Sequence, residues 1–219
     1  MDSQHIQNYI PFVVLAYFLG SIPTAVWLGR RFYDLDVREH GSKNAGATNT
    51  FRVLGKKAGI IVLSIDILKG FLAVGILYWT SNLFGEITTP AEESIQAYFL
   101  IMTAIAVVFG HLSPIFAGFR GGKGVATSLG VILGLYPAAA GICIVVFLSV
   151  FIVSKYVSLG AIVASVVFPI IVNFVFETSF ELKIFSWVLA ALVIYKHKLN
   201  IKRLLCGNEN KMNLFKKSS

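Results

Sequence analysis

Apolar positions along the chain fall in long unbroken blocks, at 9–28, 58–79, 97–117, 125–153, 157–176 and 182–195. Several approach the ~20 residues needed to cross a bilayer. In lipid every backbone polar group must be satisfied within the segment, so each crossing is expected to be a helix. The two-residue alternation of a β-barrel is absent. The fourth block is too long for one ordinary crossing, and Pro137 sits near its middle. Proline removes a donor and disfavours helix before it, which predicts two short helices at 125–136 and 138–153.

Charge supports that division. Seven Lys/Arg lie in 30–57 and seven more after Tyr195, with Arg120, Lys123 and Lys155 in two further connections. The remaining connections are acidic, with Glu86, Glu92 and Glu93 in one and Glu177 and Glu181 in another. Seven helices put 17 of the 19 basic residues on one side, whereas six would move the tail to the other and destroy the asymmetry. The expectation is an all-α integral membrane protein with seven transmembrane helices. Several are short (the fourth, fifth and seventh), the N-terminus is outside and the C-terminus is cytoplasmic. The start of the chain, 1–8, contains Asp2 and no Lys or Arg, so the first block does not read as a cleavable signal peptide.

Composition narrows the class further. Hydrophobic residues make up 56% and charged residues 14% of 219, and the mean hydropathy is +0.76. A soluble domain carries about 25% charge, so soluble and disordered classes are excluded. The net charge of +8 is accounted for by the positive-inside bias rather than by nucleic acid. Cys143 and Cys206 make neither a disulfide framework nor a metal site. No internal repeat stands out, so 1–219 reads as one domain.

Chemistry-bearing residues concentrate in the cytoplasmic connections, which favours a site at the inner interface over a mid-membrane transport site. The first cluster runs from His40 to Arg52. Gly41 and Gly46 permit positive φ, while Ser42, Asn44, Thr48 and Asn49 are suited to capping. A helix over 47–54 would aim N–H groups at the glycine turn, with Arg52 supplying charge. A plain solvated loop is the competing reading. The second cluster, Gly121, Gly122, Lys123 and Gly124, opens a helix, where glycines let N–H groups converge on a phosphate. It is no Walker A loop, because Ala117 replaces the first glycine and Gly124 follows the lysine. Its bland alternative is a flexible turn with one lysine.

His111 lacks the acid five residues on that many glycerolipid acyltransferases use, since position 116 is Phe, and reads as a helix-end residue. Ser158 stands in a turn entering the sixth helix, to cap it or to face the site. His197 and Asn200 are i, i+3 and share a face if the seventh helix continues. Asp66 and Lys69 share the second helix and can pair; a structural ion pair and a substrate contact are equally open.

Taken together, these clusters resemble the bacterial acyl-phosphate:glycerol-3-phosphate acyltransferases, the PlsY family. The resemblance rests on Gly20-Ser-Ile-Pro23; Gly41-Ser-x-Asn-x-Gly-x-Thr-Asn49 with Arg52; Gly110-His111 with Gly121-Gly-Lys-Gly-Val-Ala-Thr127; Ser158-Leu-Gly160; and His197-x-x-Asn200 with Gly207-x-Glu209. It spans 20–209 in order, with Lys43 standing where members often have Gly.

The resemblance implies a multi-pass inner-membrane enzyme with its active site facing the cytoplasm. It would transfer a fatty acyl group from acyl phosphate to the 1-hydroxyl of glycerol 3-phosphate, giving lysophosphatidic acid and inorganic phosphate. No metal or organic cofactor is implied, and the enzyme that makes acyl phosphate is a candidate partner. Ser42, His197 and Asn200 would be catalytic. Asn44, Thr48, Asn49, Arg52, Gly121, Gly122, Lys123, Gly124 and Ser158 would bind substrate, with Arg52, Lys123 and the glycine backbone on phosphates. Ser42 and Asn200 would orient substrates or stabilise the oxyanion. His197 would hold the attacking alcohol or remove its proton, unless a donor phosphate oxygen does so. The rival class is a transporter or flippase of a phosphorylated metabolite.

Overall fold

The computed structural model describes residues 3–80 and 90–212. Glu86 and the last lysines of the tail lie outside them. Within the described residues the regular structure is entirely helical. Their contacts divide them into two compact units, Met1–Pro137 and Ala138–Ser219, with the division at the proline that the sequence marks as a break.

In the first unit, α1 (Ser3–Gly20) and α2 (Thr24–Phe32) replace the single straight helix expected over 9–28. The chain bends by 41° at the break. Pro23 explains it: it cannot donate an amide to α1 and it disfavours helix at Ile22, so α1 closes with Ser21 N–H on the Tyr17 carbonyl at 2.9 Å. The short α3 (Ala47–Val53) confirms the helix expected there. It is followed by α4 (Lys56–Thr80), α5 (Pro90–Leu112) and α6 (Val125–Leu135). The α5 range corrects the expected 97–117: Glu92 and Glu93 form its first turn rather than a loop, where acidic groups offset the positive helix end.

The second unit holds α7 (Pro137–Ser154), α8 (Val157–Phe174), α9 (Phe180–Lys196) and α10 (Lys198–Leu205). Pro137 opens α7, which matches the predicted split of the fourth block. α9 has 17 residues and is longer than the expected 182–195, because Ser179 caps it by accepting from Leu182 N–H. At His197 the chain turns by 60° into α10.

Among the described residues, four helices are long and apolar enough to cross a membrane, and up to six spans result if each bent pair counts as one. α6 is apolar but shorter. Large apolar side chains face outward, such as Leu15, Ile152, Val153 and Phe174, while Asp66, Lys69, Thr24 and Asn49 are buried. With lipid outside, helices associate through close packing instead of water exclusion. The α4–α6 contact depends on it: a Cβ on Gly70 would strike the Thr127 carbonyl, and one on Gly130 the Ile67 carbonyl.

Candidate active site

The connection from α2 to α3 is built around Asp36. Arg38 Nε and Nη2 donate to its two oxygens at 3.0 and 2.7 Å, the Arg38 amide donates at 2.9 Å, and Arg30 Nη2 at 2.9 Å. Arg38 Nη1 then donates to the Ala117 carbonyl at 2.7 Å, which ties this connection to the segment leading into the glycine loop. The Arg38 side-chain bonds, against the opposing effect of burial, hold the Asp36 carboxyl well below its ordinary range. A depressed carboxylate stabilises the fold above its ordinary value of 3.8, and that contribution is lost as pH falls toward the native value. Asp36→Asn is therefore expected to lower the melting temperature at neutral pH. The gap to the native protein should narrow below about pH 4; a gap independent of pH would contradict the assignment.

Asn49 is buried and satisfies this turn from within. Its Oδ1 accepts from the Ser42 amide at 2.8 Å and the Ser42 hydroxyl at 3.1 Å. Its Nδ2 donates to the carbonyls of Val37 and His40 at 2.7 and 3.1 Å. The amide expected to cap a helix or meet substrate is thus committed to holding Ser42 in place. Gly41 has φ +58° and Lys43 +57°, the latter where glycine is easier. Gly46 is extended, φ −128°, and caps α3 without any side-chain cap, so the positive φ that Gly46 permits is not used. The amides of Asn49 and Thr50 already donate to its carbonyl. Asn44 and Thr48 are half-buried beside this turn, and Arg52 lies in the last turn of α3, also half-buried.

The glycine loop precedes α6. Gly124 has φ +84° and is the N-cap of α6, whose first turn opens with Ser128 N–H on its carbonyl at 2.7 Å. The Gly122 amide donates to the His111 carbonyl at 3.1 Å, so it is not one of the N–H groups converging on a ligand. Positive φ belongs to Gly124 and not to Gly121 or Gly122. Lys123 is half-buried at the positive end of α6.

Below, Asp66 and Lys69 pair at 2.9 Å. Thr24 donates to Asp66 at 3.2 Å, and Lys69 to the Ile22 carbonyl at 3.1 Å. All of these partners are protein groups at a helix junction, which favours the structural reading of the pair.

In the second unit the polar residues gather on Glu209. Ser158 Oγ donates to its Oε1 at 2.9 Å, Asn200 Nδ2 to the same oxygen at 2.7 Å, and Arg203 Nε to Oε2 at 2.7 Å. Gly207, φ +71°, reverses the chain after α10 so that Glu209 can reach back. Burial pushes the Glu209 carboxyl up, but the three hydrogen bonds outweigh it and hold it below the usual value. Ser158 therefore faces Glu209 instead of capping α8.

His197 and Asn200 do not share one continued helix, because the turn falls at His197 itself; both are nevertheless buried. His197 Nδ1 lies 2.8 Å from the Val193 carbonyl. A carbonyl only accepts, so Nδ1 carries a proton, and in the neutral ring the lone pair is on Nε2. The roles of Asp36, Arg38 and Arg203 were not read from the sequence. The available signals were an acid between arginines at 36 and a lone acid in a basic tail at 209.

These features define an integral membrane protein, all-helical, with polar and basic clusters where its apolar helices end. The chain belongs to the glycerol-3-phosphate acyltransferase family, whose model matches residues 10–207. That bears out the resemblance drawn from the motifs. Relatives named glycerol-3-phosphate acyltransferase include one from Fusobacterium nucleatum, 43% identical over 91% of this chain and 96% of its own. A Bacillus cereus protein named glycerol-3-phosphate acyltransferase 2 is 44% identical over 97% and 98%. The crystal structure of PlsY, an integral membrane glycerol 3-phosphate acyltransferase, in its glycerol 3-phosphate form superimposes with a TM-score of 0.82 at 37% identity. It covers 95% of this chain and 100% of that one. Its lysophosphatidic acid form gives 0.79 at 36%.

Proposed function

We propose that the protein transfers a fatty acyl group from acyl phosphate to the sn-1 hydroxyl of glycerol 3-phosphate, releasing lysophosphatidic acid and inorganic phosphate. The observation that carries this reading is the likeness, over nearly the whole chain, to PlsY in its substrate and product forms. The family match crosses both compact units, which supports one acyltransferase domain over 1–219.

Acyl phosphate is an activated mixed anhydride. The acceptor hydroxyl attacks its carbonyl carbon, the carbon–oxygen bond to phosphate breaks, and phosphate leaves with the bonding pair. No metal or organic cofactor is needed for that step, so the chain's own residues act by positioning and charge stabilisation. Lys123, Arg52 and the amides of Gly121, Lys123 and Gly124 meet phosphate. Ser42, fixed by Asn49, orients substrate with Asn44 and Thr48 beside it. Asn200 and Ser158, aligned by Glu209, orient the reacting groups. His197 Nε2 accepts the hydroxyl proton. The enzyme that makes acyl phosphate is the partner this chemistry calls for.

No serine here belongs to a triad or nucleophile elbow, so transfer is direct. Ser42→Ala is expected to be severe through lost positioning. Mass spectrometry after rapid quench with acyl phosphate alone should find no acyl-protein. A stable adduct on Ser42 or Ser158, formed before acceptor is added, would overturn direct transfer.

The site faces the cytoplasm and the chain crosses the bacterial inner membrane seven times, with α6 as a short crossing. The charge asymmetry supports this arrangement. Most of the acidic connection before α5 lies outside the described residues, but Glu92 stands in the first turn of α5. With Cys143 and Cys206 replaced, Glu92→Cys should react with impermeant thiol reagents on intact cells, while Lys43→Cys and Lys211→Cys should not. External labelling at 211 would refute the odd number of crossings.

A further inference from the structure

His111 ends α5, is buried, and has no acid at position 116 to make it a base of the acyltransferase type. An imidazole buried at the end of an apolar helix is costly unless its polar atoms are held. Its backbone carbonyl accepts the Gly122 amide at 3.1 Å. A Cβ placed on Gly122 would run into the imidazole at Nε2, so the glycine rests directly on the ring. On the far side, Nδ1 faces Asp66 Oδ1 at 3.7 Å. Asp66 is itself fixed by Lys69 and Thr24, and Lys69 by the Ile22 carbonyl.

We propose that His111 is a positioning residue for the phosphate site: its imidazole is the floor that sets the height of the glycine loop, and Asp66 fixes the ring. A chain of held groups thus runs from the α1–α2 bend through α4 to Gly122. The inference rests on the reading that this loop holds a phosphate of glycerol 3-phosphate. It gives Gly122 a second reason to be glycine. Gly122 needs no positive φ, and a methyl there strikes the histidine before any ligand is considered. The two explanations of a damaging Gly122→Ala separate in a double-mutant cycle.

The native protein, Gly122→Ala, His111→Ala and the double variant are purified in detergent. KM for glycerol 3-phosphate and kcat are measured with acyl phosphate as donor, together with the melting temperature. Gly122→Ala is expected to raise KM by ~10-fold with kcat within ~3-fold, since the loss is of uniform binding. His111→Ala should raise KM in the same way. In the His111→Ala background, where the ring no longer opposes the methyl, adding Gly122→Ala should change KM by less than ~2-fold. The same cycle with His111→Asn, smaller but still polar, serves if the alanine variant does not fold. Multiplicative effects in the cycle, or an unchanged KM in both His111 variants, would overturn the proposal. A native protein inactive with both substrates would instead refute the function itself.

Discussion

Replacing His197 by alanine is expected to lower kcat/KM by ~10²–10⁴-fold, the range for loss of a positioned general acid–base group. The ring is buried at the α9–α10 turn, and its Nδ1–H is engaged by the Val193 carbonyl. That bond selects, for the neutral ring, the tautomer with its lone pair on Nε2, the form a general base requires. Alanine removes the acceptor without opening the junction, because the His197 amide still closes α9 on the carbonyls of Val193 and Ile194. The melting temperature should therefore stay close to native. His197→Gln separates the two chemical options. If the imidazole takes the proton, glutamine cannot replace it, and the dependence of rate on pH between about 5 and 8, where histidine titrates, should flatten. If a phosphate oxygen of the donor takes the proton, glutamine should restore most of the rate and the pH dependence should persist, which would reduce His197 to a binding residue.

Lys123→Ala should give the largest loss of substrate affinity. Lys123 stands at the positive end of α6, beside the Gly124 cap, so its charge and the helix end would act together on the proposed phosphate. A hydrogen bond to a charged group is worth about 1.5–3 kcal/mol, which corresponds to a ~10–10²-fold rise in KM for glycerol 3-phosphate. Lys123→Arg should retain much of the affinity because the charge survives, while Lys123→Gln should resemble alanine. Equal KM values for the arginine and glutamine variants would show that charge at this position does not hold the phosphate.

Helix positions were legible wherever a proline interrupted a block that was visibly too long, as at Pro137. Pro23 has the same physical effect, yet the block 9–28 has the length of one crossing, so hydropathy alone hid the bend. The turn at His197 was hidden for a related reason: α10 begins without proline or glycine, and helical spacing continues across the break. The glycine turn, the α3 helix and the Asp66–Lys69 pair were local enough to be read directly. What escaped were partnerships made across the chain. Arg38 reaches a carbonyl 79 residues away, and Ser158 meets a carboxylate 51 residues away. Nothing in the spacing of either pair announces the contact. Asn49 stands out by its type, but its inward turn to hold Ser42 emerges only in the fold.

Acyl transfer is seen without intermediaries when the detergent-purified protein, with no membrane gradient, is incubated with acyl phosphate and labelled glycerol 3-phosphate. Labelled lysophosphatidic acid and one inorganic phosphate per acyl group transferred are expected, with acyl-CoA failing to substitute as donor. The absence of any labelled lysolipid, or a gradient-driven uptake of labelled glycerol 3-phosphate into vesicles by protein that does not turn it over, would contradict it.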